Sequence, residues 1–434
     1  SDGTLGIESL QVETGQPELL SLKVDGRFDN FKDPSTLQLN SSLSARDLQL
    51  IGAIFDREWP AIGPVQLDSQ IKKRDKGKEF NTTLTAGETE VHANLNALFK
   101  TTPMRVSGTI TARKMLMWDL LEKASDGEKK KASSKEPVFS REPIDFDWLK
   151  KVDMDIAIEV ESFAQEQFLA DSAQFQVVVK SGLLSISPAH FVYPKGKLDM
   201  DLQVDARDHP RLTFKAFGEH LDPRRALDIQ EYKGEFEAEM NIDVSLSSSG
   251  LSPHELAANS QGSIYITMQN GKIPAPLIDL VFLDVAGWAW KKATKKRYYD
   301  INCGVVDYSI DKGVISTKAF ILDAEHITIT GVGTIDLGDE EVEYVLVPKK
   351  KTLFIKKASP VRIKGPLNDP KVKTLSWKSA GTTAAKIGGI IFAPFIFIPL
   401  TAADYAAGKV KTKDGESACL EYQKTHKMEK RPQN

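Results

Sequence analysis

Apolar and polar residues alternate along much of the chain. The clearest stretch is VDMDIAIEV at 152–160, and the same period recurs at 198–204 and at 264–268, which leads to the turn pair Asn270-Gly271. Further strand-like stretches are 175–179, 236–244, 314–322, 327–329, 342–346 and 361–363. Since successive side chains of a strand point to opposite faces, each strand has one apolar and one polar face. The pattern predicts antiparallel sheet with one covered face.

One segment without apolar periodicity is 122–143. It contains GEKKKASSK at 127–135 and is rich in charged and small polar residues. This composition cannot bury enough apolar surface to fold alone, so we predict a charged, flexible linker. A functional basic patch is the less favoured interpretation.

A second segment, 274–295, has apolar residues at spacings of three and four. They are Leu277, Leu280, Val281, Val285 and Trp288. The spacing predicts an amphipathic helix, and basic residues at or beyond its end suit the negative end of the helix dipole. We favour packing of this helix on the end of the sheet over contact with anionic lipid.

The third segment, Ile387 to Ala407, is the most apolar stretch of the chain. It is short for a transmembrane helix, and Pro394 and Pro399 interrupt it. We predict a broken helical hairpin or an interfacial segment, either buried against the sheet or in contact with a membrane. In the second case the membrane-contacting residues are Ile391, Phe392, Phe395, Ile396 and Phe397.

Composition excludes several classes of protein. The chain has 434 residues, 41% hydrophobic and 27% charged, with 57 Lys and Arg against 60 Asp and Glu. The apolar content excludes a generic disordered chain, and the near-neutral charge argues against nucleic acid as a partner. The chain begins Ser1-Asp2-Gly3 without methionine or a visible signal peptide, as expected of a portion of a longer protein.

Motifs for catalysis or cofactor binding are missing from the sequence. The seven histidines stand in no metal-binding pattern, and there is no phosphate-binding loop or nucleophile elbow. Gly331-Val332-Gly333 lies between strand-like stretches, where glycine marks a bulge or close packing. We therefore expect a protein that is not an enzyme and needs no cofactor.

Cys303 and Cys419 are the two cysteines of the chain. In an oxidising compartment a bridge between them would attach the C-terminal tail to the sheet. Two unpaired buried thiols are the alternative, and the residues alone leave both open.

Several stretches, in this order, resemble the C-terminal region of the AsmA family of bacterial envelope proteins. They are PIDFDWLKKVD (143–153), SGLLSISP (181–188), GKLDMDLQVDAR (196–207), GLSPHELA (250–257), QGSI (261–264), NGKI (270–273), INCGVV (301–306), DKG (311–313), GVGTIDL (331–337) and PVRIKGPLNDP (360–370), with Cys419 in the tail. The resemblance is close over about 140–420 and looser over 1–120.

The resemblance implies a fold, a location and a function. The implied fold is mainly β, an elongated, strongly curved antiparallel sheet that forms an apolar groove, with a few amphipathic helices near the C-terminal end. The implied location is the periplasm, with an inner-membrane anchor from an N-terminal helix that these residues do not include. That location favours the Cys303–Cys419 disulfide.

The function implied is lipid binding and transfer between the inner and outer membranes, with phospholipid or another acyl lipid, the membrane and an envelope protein as partners. The predicted groove-lining residues are Met154, Ile156, Ile158, Val177, Val179, Leu198, Met200, Leu202, Ile264 and Ile266. A closed sandwich core would instead make the protein a structural or assembly factor for outer-membrane proteins. An enzyme acting on envelope glycans finds no support among the residues.

The predicted organisation has five parts. They are a β-groove segment at 1–121, the linker at 122–143, the AsmA-like groove region at 144–376 with its helix at 274–295, an apolar helical segment at 377–410 and a polar tail at 411–434.

Overall fold

The computed structural model describes most of the chain and divides it into two compact units. Unit 1 comprises Ser1–Ala132 and Asp145–Arg211, and unit 2 comprises Ser133–Ile144 and Leu212–Asn434. The residues described are 6–16, 19–30, 36–54, 62–74, 77–99, 101–116, 137–165, 168–222, 238–274, 298–325, 327–351, 358–388 and 417–426. The predicted class, mainly β with open, curved antiparallel sheet and few helices, is confirmed.

In its described residues, unit 1 consists of strands and two short helices. The strands are β1 (Ile7–Gln16), β2 (Leu20–Phe28), β3 (Leu37–Ala45), β4 (Val65–Arg74), β5 (Gly77–Ala86), β6 (Thr89–Leu98), β7 (Met104–Leu116), β8 (Val152–Val160), β9 (Phe163–Gln165), β10 (Phe168–Ala170), β11 (Ser172–Lys180), β12 (Leu183–Val192) and β13 (Lys197–Asp205). The helices are α1 (Leu48–Ile54) and α2 (Trp148–Lys151).

Neighbouring strands of unit 1 pair in chain order from β1 to β7, all antiparallel. β8 then pairs with β7 in parallel, and the order continues through β11, β12 and β13. The β7–β8 pair is therefore a departure from the predicted antiparallel pairing. A parallel pair needs a long crossover connection, which residues 117–151 supply, and apolar periodicity is the same for both pairings.

The described part of unit 2 contains the later strands and three helices. The strands are β14 (Arg211–Leu221), which starts at the last residue of unit 1, β15 (Glu239–Ser249), β16 (Gln261–Pro274), β17 (Tyr298–Asp311), β18 (Val314–Ala324), β19 (Ile327–Asp336), β20 (Glu341–Lys350), β21 (Val361–Pro366) and β22 (Lys371–Thr374). The helices are α3 (Pro253–Ala258), α4 (Trp377–Gly388) and α5 (Ala418–Thr425). Strands β15 to β22 form an antiparallel ladder in chain order.

Helices α4 and α5 pack on the same face of the unit 2 sheet. Ala380 and Ala384 of α4 lie against Val332 and Val345, on β19 and β20. In α5, Cys419 and Tyr422 join a buried cluster with Cys303, Val305, Ala319 and Ile321. The opposite face carries a separate core, which contains Leu322, Ile327, Ile329, Tyr344 and Leu346. In this part of the sheet, helices cover one face, and side chains of the other face pack against each other.

Several predicted segments fall partly or wholly outside the described residues. The predicted helix 274–295 lies outside the described residues after Pro274, which ends β16. The predicted membrane-contacting residues also lie outside them; they are Ile391, Phe392, Phe395, Ile396 and Phe397. α4 occupies the start of the predicted apolar segment, and α5 lies within the predicted polar tail. Within the described part of the chain, no helix combines the length and the apolar character needed to cross a membrane.

The end of the predicted linker, 137–143, belongs to unit 2 and is hydrogen-bonded to other residues of that unit. The backbone N–H groups of Val138 and Phe139 donate to the Glu340 carboxylate at 2.6 and 3.1 Å. The N–H of His254 donates to the carbonyl of Ser140 at 3.0 Å. These contacts fix the path of the chain shortly before it enters α2 and β8.

Candidate functional site

The apolar residues of unit 1 form rows that run across the strands on one face of the sheet. Ile158 of β8 lies opposite Phe175 of β11 and beside Ile110 of β7. Because residues in register on paired strands share a face, these three side chains belong to one surface. We call this surface the unit 1 apolar face.

The strand register extends this face from β2 to β13. One row consists of Leu22, Leu43, Leu67, Leu84, Val91, Ala112, Val160, Ala173, Phe191 and Leu198. Another consists of Leu39, Ile71, Phe80, Leu95, Gly108, Ile156, Val177, Ile186 and Leu202. Each strand thus contributes one side of its alternating pattern to a common apolar surface.

Eight of the ten predicted groove-lining residues lie on the unit 1 apolar face. They are Met154, Ile156, Ile158, Val177, Val179, Leu198, Met200 and Leu202. Ile156, Val179 and Leu198 are buried, whereas the other five are only half-buried. In the described part of the chain these five keep apolar surface that their own strands do not cover, so an apolar ligand could reach it.

α1 covers one end of this face. Leu48 of α1 is buried with Ala45, Val65 and Ala86, which end or begin the adjacent strands. Asp47 accepts a hydrogen bond from the N–H of Leu50 at 3.0 Å, which satisfies a free donor of the first turn. The helix therefore buries the end of the face and leaves its middle rows half-exposed.

Ile264 and Ile266, the other two predicted residues, lie in unit 2. Ile264 is opposite Val244 and Tyr308, and Ile266 is opposite Ile242 and Val306. Both are half-buried. They belong to the face of the unit 2 sheet opposite α4 and α5, which we call the unit 2 apolar face.

Strands β2 to β6 contribute apolar residues to the unit 1 apolar face that the sequence did not predict to line a groove. Leu43, Leu67 and Leu84 stand in its first row, yet none was predicted to line the groove. Their signal was present as alternation within LQLNSSLSA and neighbouring strands. The serines and threonines at every other inward position weaken that signal in the sequence.

The polar face of unit 1 carries a cavity of about 640 Å³ across β2 to β7. Its polar lining includes Asn40, Asp68, Gln70, Thr83 and His92. Several of these groups bond to each other, as Gln70 Nε2 donates to Asn40 Oδ1 at 2.9 Å and Thr83 Oγ1 lies 3.0 Å from His92 Nδ1. The two faces of this sheet thus differ sharply in chemistry.

A disulfide joins Cys303 of β17 to Cys419 of α5, with 6.2 Å between the Cα atoms. The sequence had left free thiols as an alternative, and the structure decides for the bridge. Beside it, Ser417 Oγ donates to Asp323 Oδ2 at 3.0 Å, and Lys351 Nζ lies 2.5 Å from Asp323 Oδ1. Burial disfavours the charged carboxylate, but hydrogen bonds from Lys351, Thr328 and Asn302 outweigh this effect and lower the pKa of Asp323.

α5 has further polar contacts with the sheet. The Tyr422 hydroxyl donates to Asp307 Oδ2 at 2.7 Å, and Gln423 Nε2 donates to the carbonyl of Gly304 at 3.2 Å. Burial, with the Asp307 carboxylate, raises the pKa of Tyr422, and burial raises that of the neighbouring Tyr265 to about 12. Both phenols therefore stay neutral at physiological pH, as this helix contact requires.

The amino-acid sequence can be compared with those of known proteins. Residues 122–320 match the AsmA family. The predicted resemblance is confirmed over this range, which includes β8 to β17 and most of β18.

A curated relative extends the AsmA match. The chain is 22% identical to the AsmA family protein YhjG of Escherichia coli (strain K12) over 333 residues, which cover 70% of this chain and 47% of that protein. The chain thus spans about half the length of this relative. No solved structure gives a significant match. The disulfide fits an oxidising compartment such as the periplasm.

Proposed function

We propose that this chain is a non-enzymatic lipid-binding and lipid-transfer module of the Gram-negative envelope. It holds the acyl chains of phospholipids against its apolar faces for movement between the inner and outer membranes. The observation that carries the proposal is the unit 1 apolar face, on which side chains of successive strands form apolar rows and Met154, Ile158 and Met200 remain half-exposed.

The chemistry of this face suits acyl chains. Burial of each CH2 group contributes about 0.8 kcal/mol without a directional contact. A surface of Leu, Ile, Val and Met can therefore hold lipids of different headgroups. Such binding requires neither a nucleophile nor a cofactor, and it places the headgroup at the margin of the face.

The AsmA match and the disulfide support the proposed location. Disulfides persist in oxidising compartments, so Cys303–Cys419 suits a protein in the periplasm between its two proposed membrane partners. An envelope protein that docks the module at one membrane is a further proposed partner.

Lipid extraction and mass spectrometry of the purified chain test the binding. We expect copurified phospholipid, and a lower lipid content in the Ile158→Asp variant because a carboxylate on the apolar face must lose its hydration. Ala157→Asp is the matched control, since Ala157 precedes Ile158 on β8 and faces the polar side, opposite Gln176. Thermal unfolding establishes that both variants fold.

Met200→Ser provides a second test on a different strand. Met200 of β13 is half-buried opposite Ala189, so its replacement should reduce lipid content with little effect on folding. Transfer is measured with a fluorescent phospholipid moving between donor and acceptor vesicles. A folded wild-type chain that copurifies without lipid and moves none between vesicles would favour the structural or assembly role instead.

A further inference from the structure

Strands β21 and β22 carry a cluster of positive charge on one face of the unit 2 sheet. Arg362 lies opposite Lys373, and Lys364 lies opposite Lys371. Residues opposite each other on paired strands, and residues two positions apart on one strand, point to the same side of a sheet. The four cations therefore stand together on one face.

This cluster lies on the same face as α4. Arg362 is also opposite Val345 of β20, and Val345 packs against α4. The exposed lysines of α4, Lys378 and Lys386, extend the positive charge from the two strands onto the helix. We call these six basic side chains together the unit 2 basic surface.

The positive charge is local to this part of the chain. The chain as a whole has a net charge of -3, whereas 361–388 contain six basic residues and one acidic residue. Glu343 forms ion pairs with Arg362 and Lys364, and Asp369 pairs with Lys371 at 2.5 Å. Two carboxylates for the four cations of the strands leave an excess of positive charge, in a place where like charges stand opposite each other. Such an arrangement is unfavourable unless an anion binds to it.

We propose that the unit 2 basic surface docks on a bilayer that contains anionic phospholipids. The phosphate groups of such a bilayer supply negative charge to the cations, and each lysine near an anionic membrane strengthens binding about fivefold. The proposal rests on the proposed function, since it names the surface through which the module meets one of its two membranes.

Two apolar features beside this surface favour a bilayer over an acidic protein. Trp377, at the start of α4 and next to Lys378, keeps 51% of its surface exposed. Tryptophan is enriched where the lipid headgroups meet the acyl chains, because its ring is amphipathic. α4 also ends inside 387–407, the most apolar stretch of the sequence. A bilayer offers both negative charge and an apolar layer to such a surface.

Co-sedimentation with lipid vesicles tests the proposal. The purified chain is mixed with vesicles of phosphatidylcholine alone, or with vesicles of phosphatidylcholine and phosphatidylglycerol in equal amounts. We expect binding to the mixed vesicles and not to phosphatidylcholine alone. The binding should weaken as the salt concentration rises, because salt screens exposed charges.

The Lys371→Gln/Lys373→Gln variant removes two charges from the unit 2 basic surface. Both lysines are exposed, so the variant should fold, and thermal unfolding checks this. It should bind the mixed vesicles about 25-fold more weakly than the wild type. Lys180→Gln/Lys215→Gln is the matched control, since it removes the same charge from exposed lysines of β11 and β14. The control should bind like the wild type.

Several outcomes overturn the proposal. One is a wild-type chain that leaves the mixed vesicles unbound, which would favour an acidic protein as the partner of this surface. Another is equal binding to both kinds of vesicle. The third is a Lys371→Gln/Lys373→Gln variant that binds as tightly as the wild type or no more weakly than the control.

Docking and lipid carriage can fail separately. A chain that copurifies with phospholipid but leaves the mixed vesicles unbound contradicts only the docking. A chain that binds these vesicles through the unit 2 basic surface, yet copurifies without lipid and transfers none, contradicts only the proposed function.

Discussion

At the scale of single residues, Gly331 and Gly333 decide how a tyrosine packs. The sequence allowed a bulge or close packing at this Gly-Val-Gly step. β19 and β20 pair in regular register here, with Gly333 opposite Tyr344, whereas the register of β18 against β19 shifts between Ser316 and Ile321. The two glycines therefore lie beside an irregular pairing and also pack closely. A Cβ atom at Gly331 would lie 2.6 Å from Tyr344 Cε1 and 2.9 Å from Phe320 Cδ1. The two glycines make room for a buried aromatic side chain.

Gly331→Ala should destabilise the protein by about 1–3 kcal/mol, the usual cost of overpacking a core. The atoms that the new methyl group meets belong to the side chains of Tyr344 and Phe320. The cost should therefore be smaller in a Tyr344→Leu background. A double-mutant cycle from chemical denaturation measures the coupling, and equal costs in both backgrounds would contradict this account.

Asp323 is the second residue whose environment decides its role. It is buried and accepts hydrogen bonds from Thr328 Oγ1 at 2.6 Å and Asn302 Nδ2 at 3.0 Å, in addition to its contacts with Lys351 and Ser417. Asp323→Asn should cost about 3 kcal/mol at neutral pH, because it leaves the Lys351 ammonium without its charged partner. Asp369→Asn, in an exposed pair with Lys371, should cost under about 1 kcal/mol.

The stabilisation by Asp323 depends on pH in a direction that its lowered pKa fixes. The pKa of Asp323 is lower in the folded state than in the unfolded state, where it is about 4. Asp323 therefore stabilises the fold fully at a pH above the unfolded pKa. This contribution is lost as the pH falls through the folded pKa. The difference in unfolding free energy between wild type and Asp323→Asn should therefore shrink in acid. Denaturation at neutral pH and near pH 3 measures it, and a constant difference would refute the assignment.

At the scale of elements, the disulfide makes α5 part of the sheet core. α5 has eight residues, too few for a stable isolated helix in water. Its Cys419 bridge, the Tyr422–Asp307 hydrogen bond and its apolar cluster with β17 and β18 supply the missing stabilisation. A segment that is polar in overall composition thereby becomes structured.

The Cys303→Ser/Cys419→Ser variant should lose about 4 kcal/mol of stability, since the bridge joins residues 116 positions apart. Amides in 418–425 should exchange hydrogen faster in this variant and in reduced wild type. Strands of unit 1, which the bridge does not join, serve as the internal control. Unchanged protection of α5 after reduction would show that its polar contacts suffice.

At the scale of the whole molecule, two compact units share one construction rule. Strands with one apolar side stand in register, so that their apolar sides merge into a face. In unit 2, α4 and α5 cover the face of the sheet that lies opposite the unit 2 apolar face. In unit 1, the described helices cover only ends, which leaves the rows on which the proposed lipid binding depends.

The sequence by itself predicted many of the strands from β8 onward, the alternation of their faces and eight of the residues on the unit 1 apolar face. These features are local, because the period of two fixes which side chains share a side of a strand. It also identified the AsmA resemblance, since motif order is a property of the chain. The disulfide remained one of two alternatives, because cysteine pairing depends on distance in space.

Only the tertiary structure decided which strands are neighbours and in which direction. The parallel pairing of β7 with β8, the bridge from α5 to β17 and the room above Gly331 and Gly333 join residues far apart in the chain. The free energy that stabilises these contacts comes from strand register, burial and packing between elements. The periodicity along one segment does not encode these contributions.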